Sequence, residues 1–365
     1  MVPVCAKAAI EKIKPHMLDA SDDGLPPVEV PLHANDSAFG PSPKVKIAAR
    51  ASVDRINNYM ERADRLLASA IGERFGLDPE KIAVGPGSDE ILARLARAYL
   101  DRGAELVRSR NGYLKVPNYA YANDAVAISV PDEEFKPSVD ALLAAVGANT
   151  RMVYVANPEN PAGALLSSSD LRRLQAGLPG NVLLVVDSAY EEYVSSPEYE
   201  PPHGLVEEFD NVVVCRTFSK IFGLAGARVG WMYAPIDIAS TIRRIGLTFP
   251  LSTPSAVAAL EALKDRGHTD FVFSENLRLR KWLSRELESL GIRAYPSQGN
   301  FILAEFTNPA SNAREVALYL RRRGIAVRRF ASPSYERCIR ITIGLESSLR
   351  VAVEAISEYV NECEN

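Results

Sequence analysis

A short stretch in the second half of the chain combines two hydroxyl side chains, a lysine and an arginine directly after an apolar run. The apolar run Val212–Val214 leads to Thr217, Ser219 and Lys220, and Arg228 follows after a glycine-containing turn. Such a run is typical of a buried strand, and a lysine amine at its end is a natural covalent partner for an aldehyde. Hydroxyl groups and a guanidinium fork are donors that hold a phosphate. The segment therefore predicts a site for pyridoxal 5′-phosphate, with a solvated surface lysine as the alternative.

A second apolar run ends in a carboxylate. Val182–Val186 precedes Asp187, and Tyr190 follows three residues later. A buried carboxylate needs a partner if it is to keep its charge. The protonated pyridine nitrogen of the same cofactor is such a partner, and a protonated ring acts as an electron sink. We therefore expect Asp187 to lie near Lys220.

Two loops that follow predicted strands add further polar groups. Gly87, Ser88 and Asp89 open a predicted helix with Ser88 as its N-cap, and the free amides at a helix start bind anions. Asn160 lies in residues 157–163, which read Asn-Pro-Glu-Asn-Pro-Ala-Gly. The alternatives are a plain capped helix and a structural turn built from Asn, Pro and Gly.

In their order along the chain, these motifs resemble those of fold-type I pyridoxal-phosphate enzymes, in particular the histidinol-phosphate aminotransferase branch of the class I and II aminotransferases. The resemblance extends from Leu32 to Gly344. It implies an α/β fold, with a large domain built on a mostly parallel seven-stranded sheet between helices and a smaller α+β domain. It also implies a homodimer with shared active sites.

The resemblance assigns a role to each motif. Lys220 would hold the aldehyde and Asp187 the ring nitrogen, while Asn160 and Tyr190 would hydrogen-bond the phenolic oxygen. Tyr113 would stack on the ring, a role that suits a flat aromatic face. The cofactor phosphate would be held by Gly87, Ser88, Asp89, Thr217, Ser219, Arg228 and, from the neighbouring subunit, Tyr59.

The substrate site is also implied by the resemblance. Arg340 corresponds to the arginine that binds an α-carboxylate, and Arg328 to the one that meets the distal phosphate of histidinol phosphate. Asn35 and Phe39 lie in the loop that lines the substrate entrance. Either arginine could instead be a surface salt-bridge partner.

The implied reaction moves an amino group between an amine or amino acid and a 2-oxo acid, with histidinol phosphate and 2-oxoglutarate as the expected pair. Three alternatives remain open. An aromatic amino acid is one, because Phe39 replaces a tyrosine of the family and leaves a more apolar wall. A pyridoxal-phosphate-dependent decarboxylase or lyase on the same scaffold is another. The third is a non-catalytic ligand sensor, for which an added DNA-binding domain would be expected.

The chain departs from the family pattern near the expected pocket. Asn111 and Gly112 stand where the family carries Pro-Thr before the stacking aromatic. Met60 stands where it carries proline after Tyr59.

Composition limits the possible partners and location. The net charge of −4 and the absence of long Lys/Arg blocks argue against nucleic acid. The four cysteines are scattered without a Cys-x-x-Cys pair, which argues against zinc or disulfides and favours a reducing compartment. No run is apolar and long enough to span a membrane. We therefore expect a cytoplasmic enzyme without a metal site.

Seven short apolar runs alternate with helical patterns and predict the strands Lys81–Val84, Glu105–Arg108, Val126–Val130, Met152–Ala156, Val182–Asp187, Val212–Thr217 and Val229–Ala234. Strands separated by helices imply a largely parallel sheet, with ligands beyond its carboxyl ends. From about residue 252 the pattern changes to long helices with short strands. We predict an N-terminal arm over 1–40 that begins with an amphipathic helical segment, a large domain over 41–251 and a small domain over 252–365.

Overall fold

The chain alternates strands and helices, which the computed structural model describes over residues 5–13, 24–308 and 312–364. The strands are β1 (Val30–Leu32), β2 (Ile82–Gly85), β3 (Glu105–Ser109), β4 (Val126–Val130), β5 (Asp132–Glu133), β6 (Lys136–Pro137), β7 (Thr150–Ala156), β8 (Leu183–Asp187), β9 (Val212–Thr217), β10 (Gly230–Tyr233), β11 (Ile292–Ala294), β12 (Phe301–Phe306), β13 (Ile325–Arg329) and β14 (Cys338–Thr342). The helices are α1 (Pro43–Ser52), α2 (Ala63–Phe75), α3 (Ser88–Tyr99), α4 (Val116–Tyr121), α5 (Val139–Ala144), α6 (Ser168–Ala176), α7 (His203–Glu208), α8 (Ile236–Arg244), α9 (Thr253–Lys264), α10 (Arg266–Ser289), α11 (Ala313–Arg322) and α12 (Glu346–Glu364). No helix within those ranges is both long and apolar enough to cross a membrane.

A seven-stranded sheet in the order β2-β10-β9-β8-β7-β3-β4 organises the larger part of the chain. Its neighbouring strands are parallel except for β10, which runs antiparallel to β2 and β9. β8 and β9 are buried along their whole length, as is usual where helices cover both faces of a parallel sheet. All seven predicted strands occur with ends within two residues of those expected, so the mostly parallel sheet is confirmed.

The alternation of side chains along β8 explains how this sheet presents its polar end. Leu184 and Val186 belong to the hydrophobic cluster on one face, and Leu183 and Val185 to the cluster on the other. With both faces committed to apolar packing, Asp187 is the first polar side chain at the carboxyl end of the strand.

A second sheet has the order β1-β13-β14-β12-β11. β1 is parallel to β13 and the other pairs are antiparallel. β1 lies in the predicted arm, which therefore supplies the edge strand of this sheet. Among the described residues of the arm, the predicted helical segment is represented by a 3₁₀ helix over Ala8–Lys12; residues 1–4 and 14–23 lie outside the described ranges. The boundaries of arm, large and small domain stay a prediction.

Candidate active site

A cavity of about 370 Å³ lies where the carboxyl ends of β7, β8 and β9 face β13 and β14. Ligands of parallel sheets bind at this edge. All of the predicted site residues line the cavity except Gly87, Tyr59 and Phe39. The folding of the chain therefore brings together side chains that are widely separated in the sequence.

Lys220 lies just beyond β9 and contacts the N-terminal arm. Its Nζ donates a hydrogen bond to the backbone carbonyl of Asn35 at 3.2 Å and lies 5.5 Å from the centre of the Tyr190 ring. Asn35 has a φ of +57°, in the left-handed region that asparagine adopts more readily than most residues. Its backbone amide donates to the Thr342 hydroxyl, which in turn donates to its side-chain oxygen. Asn35 is therefore fixed between Lys220 and β14.

The hydroxyl of Tyr190 is the meeting point of two amide groups. It accepts hydrogen bonds from Nδ2 of Asn35 at 3.0 Å and from Nδ2 of Asn160 at 3.3 Å. The Tyr190 ring packs edge-on against Phe301 at 5.0 Å between centroids. Asn160 and Tyr190, predicted to share one acceptor on the cofactor, thus lie within hydrogen-bond distance of each other.

Asp187 is buried at the end of β8, and its two carboxylate oxygens differ. Oδ2 accepts a hydrogen bond of 2.8 Å from the hydroxyl of Tyr154. Oδ1 is buried and has no hydrogen-bond partner within the described ranges. Burial raises the pKa of Asp187 to about 6, although the Tyr154 hydrogen bond lowers it. The carboxylate therefore retains one unsatisfied acceptor at the cavity wall.

Thr217, Ser219 and Arg228 form a cluster of donors beside the start of α3. Ser219 Oγ accepts from Thr217 Oγ1 at 3.0 Å and from Arg228 Nη1 at 3.4 Å. Gly87 has a φ of +96°, and a Cβ there would lie 2.6 Å from Arg228 Nη2. The positive φ favours glycine here, whereas the flexible end of the Arg228 side chain could shift to make room for a Cβ. The prediction that Ser88 is the N-cap of α3 is wrong, because Gly87 holds that position and no side chain caps the helix.

Asp89, in the first turn of α3, is surrounded by donors. Its Oδ1 accepts from the hydroxyls of Tyr119 at 2.7 Å and Tyr113 at 3.2 Å, and its Oδ2 accepts from Lys115 Nζ at 3.0 Å. Burial opposes ionisation, but these donors outweigh it and lower the pKa of Asp89. The carboxylate fixes the phenol end of Tyr113, whose ring was predicted to stack on the cofactor.

Two buried arginines lie on the small-domain side of the cavity. Arg328 on β13 and Arg340 on β14 are paired across the antiparallel ladder, and their exposed fractions are 7% and 6%. Arg340 donates to Oδ1 of Asn160 at 2.5 Å and to the carbonyl of His33 at 2.8 Å. Burial lowers its pKa to about 10, which leaves it cationic at neutral pH. Phe330, 5.6 Å from its guanidinium, supplies an apolar wall.

The structure explains why Gly112 stands where the family carries threonine. A Cβ at Gly112 would lie 3.0 Å from both carboxylate oxygens of Glu159. Glu159 is 1% exposed, and its Oε1 accepts the backbone amide of Asn160 at 3.0 Å. Burial raises its pKa to about 8, although nearby Arg108 lowers it. The glycine therefore makes room for a buried glutamate beneath the loop that carries Asn160.

Tyr59 and Phe39 lie away from the cavity. Tyr59 is 74% exposed and stacks on Phe249 with 4.1 Å between ring centroids. Phe39 packs edge-on against Phe271 at 5.3 Å, between the cores of the two parts of the chain. The suggestion that Phe39 makes the pocket wall more apolar therefore loses its basis.

Sequence reasoning missed Tyr154, Lys115, Tyr119 and Glu159. Tyr154 lies in a predicted strand two residues before its end, where the period of two places its side chain on one defined face of the sheet. That spacing is a weak signal of its contact with Asp187. Lys115, Tyr119 and Glu159 carry no local signal, because tertiary packing brings the first two to Asp89 and places Glu159 against Gly112.

Known proteins show the same organisation. The family described as aminotransferase class I and II matches residues 27–356. Histidinol-phosphate aminotransferases of Rhodopseudomonas palustris strain BisB18 and Nitrobacter winogradskyi are 39% and 40% identical over 330 residues, 90% of this chain and 90% of each relative. The crystal structure of histidinol-phosphate aminotransferase from Sinorhizobium meliloti in complex with pyridoxal-5′-phosphate is similar with a TM-score of 0.88 and 30% identity, covering 92% of both chains. The chain therefore belongs to the class I and II aminotransferases, the pyridoxal-phosphate-dependent transaminases of fold type I.

Proposed function

We propose that this transaminase moves an amino group between histidinol phosphate and 2-oxoglutarate, with pyridoxal 5′-phosphate held in the cavity described above. The names of the two bacterial relatives support the choice of substrate. The observation that carries it is the pair of buried arginines in the cavity wall, Arg328 and Arg340. 2-Oxoglutarate carries two carboxylates and histidinol phosphate carries a phosphate. Two guanidinium groups match either ligand.

The cavity fits the proposed cofactor in two respects. The buried Oδ1 of Asp187, which has no hydrogen-bond partner in the described part of the chain, suits a protonated ring nitrogen. The donors Thr217, Ser219 and Arg228, beside the N-terminus of α3, suit a phosphate. Bound pyridoxal phosphate supplies an electron sink for negative charge at the substrate Cα.

Side chains of the chain itself would anchor and orient the cofactor and transfer the proton. Lys220, whose amine donates to the Asn35 carbonyl, would anchor the cofactor, and its free amine would take the proton from the substrate Cα and deliver it to the cofactor carbon that formed the aldehyde. Asn160 and Tyr190 orient the phenolic oxygen of the cofactor. Arg340 links the substrate end of the cavity to Asn160, because it donates to the Asn160 side-chain oxygen.

The arginine pair separates the proposed substrate from an aromatic amino acid. Phenylalanine presents one α-carboxylate, which needs only Arg340. The phosphate of histidinol phosphate needs one or both arginines. Specificity constants should therefore be measured for histidinol phosphate and phenylalanine in Arg328→Ala and Arg340→Ala. Arg329→Ala is the matched control, because Arg329 is the next residue on β13 and does not line the cavity.

We expect Arg328→Ala to weaken use of histidinol phosphate by the equivalent of roughly 2–5 kcal/mol, the usual effect of truncating one partner of a buried charge pair. Phenylalanine should change little in this variant, and Arg329→Ala should change neither substrate. An Arg328→Ala enzyme that keeps its full specificity constant for histidinol phosphate would refute the proposed substrate.

The proposal includes a homodimer in which Tyr59 reaches the cofactor phosphate of the partner subunit. Its support is the pair Tyr59 and Phe249, two exposed aromatic side chains that stack on each other at the surface, since exposed apolar side chains in contact with each other often mark an interface. Light scattering of the native chain should give twice the chain mass, and Tyr59→Ala should weaken cofactor binding. A monomer with full activity would refute the shared site. The cytoplasmic location stays a prediction from the cysteine pattern.

A further inference from the structure

Tyr154 and Asp187 form a buried hydrogen bond that has no part in the proposed roles above. The two residues lie on the adjacent parallel strands β7 and β8, where Ala156 is the register partner of Asp187. The Tyr154 hydroxyl donates to Oδ2 of Asp187 at 2.8 Å, and both side chains are buried and line the cavity. The other carboxylate oxygen, Oδ1, has no partner within the described residues.

We propose that Tyr154 is a positioning residue, which keeps Asp187 ionised and leaves Oδ1 as the oxygen that meets the ring nitrogen of the cofactor. The inference rests on the proposed role of Asp187. A carboxylate has two oxygens, and occupation of Oδ2 by a fixed donor selects the other one for the ligand. The hydrogen bond therefore sets the orientation of the carboxylate as well as its charge.

Tyr154 can act only as a donor in this pair. Burial and the neighbouring Asp187 raise the pKa of Tyr154 well above its ordinary value, so the hydroxyl keeps its proton. For Asp187, burial raises the pKa to about 6, and the Tyr154 hydrogen bond is the largest influence in the opposite direction. Several titratable groups on the surrounding elements interact electrostatically with Asp187. They are Tyr154, Asp89, Lys220, Cys215, Glu159, Tyr113 and Tyr119.

Loss of the Tyr154 hydroxyl should move the pH dependence of the reaction to higher pH. Asp187 supports the reaction in its ionised form, so activity falls as the pH drops through its pKa. Removal of the Tyr154 hydroxyl raises that pKa, because a donor to the charged form is lost. A hydrogen bond to a charged group corresponds to roughly one to two pKa units. The acid limb of the pH profile should therefore move to higher pH by about one unit.

The test is Tyr154→Phe, which removes only the hydroxyl. Tyr295→Phe is the matched control, because Tyr295 is also buried and donates to a carboxylate at 2.8 Å, that of Glu305 outside the cavity. For each holoenzyme, kcat is measured across pH, and the dissociation constant of pyridoxal phosphate is measured by fluorescence across the same range. We expect Tyr154→Phe to shift the acid limb upward and to weaken cofactor binding about tenfold below neutral pH, with both deficits narrowing as the pH rises.

A loss in Tyr154→Phe that is equal at every pH, or an acid limb that stays in place, would overturn the inference and indicate a packing role. The same shift in Tyr295→Phe would also overturn it. Asp187→Asn separates this failure from failure of the proposed function. If Asp187→Asn is crippled while Tyr154→Phe shows no shift, only the role of Tyr154 is wrong. If Asp187→Asn turns over normally, the proposed site and this inference are both wrong.

Discussion

Replacement of Glu159 by glutamine should make the protein more stable as the pH rises. Glu159 is buried beneath the Asn160 loop, and burial raises its pKa from the usual 4.5 to about 8 despite the opposing influence of Arg108. A carboxyl group whose pKa is higher in the folded than in the unfolded state disfavours folding once the unfolded chain ionises. Its unfavourable contribution therefore grows between pH 4.5 and about pH 8 and is constant above that.

The size of the effect follows from the same two values. At about 1.36 kcal/mol for each pKa unit, the interval from 4.5 to about 8 corresponds to an upper limit of roughly 5 kcal/mol in the free energy of unfolding. Glutamine keeps the shape and the acceptor for the Asn160 amide but does not ionise. Relative to the native chain, Glu159→Gln should thus gain several kcal/mol in stability between pH 4.5 and pH 8, most of it before pH 7.

Urea unfolding at pH 5, 7 and 9 provides the measurement, with the midpoint and slope recorded for each variant. Glu354→Gln is the control, since Glu354 is exposed on α12 and the same substitution there should give no pH-dependent difference. If the stability difference between Glu159→Gln and the native chain is the same at all three pH values, Glu159 does not titrate between them and the reasoning from its burial is refuted.

Three further substitutions test other parts of the structure. Lys220→Ala should abolish turnover and the visible absorbance of lysine-attached cofactor, and a cofactor reducible by borohydride onto another lysine would contradict the assignment. Gly112→Ala should destabilise the fold by roughly 1–3 kcal/mol through overpacking against Glu159, and urea unfolding should show a smaller effect when Glu159 is also alanine. Arg216→Met should lower the free energy of unfolding by about 3–5 kcal/mol, because it leaves the buried carboxylate of Glu191, now 2.6 Å from the guanidinium, without its partner. A melting temperature unchanged from that of the native chain would contradict this last expectation.

Local sequence pattern was sufficient to predict the sheet and the position of Asp187 and Lys220, whereas most of the cavity wall was expected from the resemblance to the aminotransferase family. Runs such as Val212–Thr217 specify buried strands, and polar residues directly after them, such as Asp187 and Lys220, must meet at the carboxyl edge. The sequence pattern predicted the wrong N-cap for α3. Gly87, which has a positive φ, holds that position instead of Ser88. Phe39, which the resemblance placed in the loop at the substrate entrance, does not line the cavity because it packs between the two parts of the chain.

The residues that were missed share one property: each has at least one contact that is distant in sequence. The close contact of the Glu159 carboxylate with Gly112 is formed only in the folded chain. The role of Lys115 follows only from its hydrogen bond to the Asp89 carboxylate. Interactions of this kind are decided by tertiary packing, and one sequence without its relatives contains no periodic signal for them.

Asn35 makes the position of the Lys220 amine sensitive to the relative position of the two sheets. Its carbonyl accepts from Lys220 and also from Nδ2 of Asn300, and its side chain bonds both Tyr190 and Thr342. Asn300 and Thr342 belong to the small-domain side, whereas Lys220 and Tyr190 follow strands of the large sheet. Any hinge motion that separates the sheets must stretch or break one of these bonds. Access to the cavity and the hold on the lysine amine are thus mechanically linked through a single backbone carbonyl.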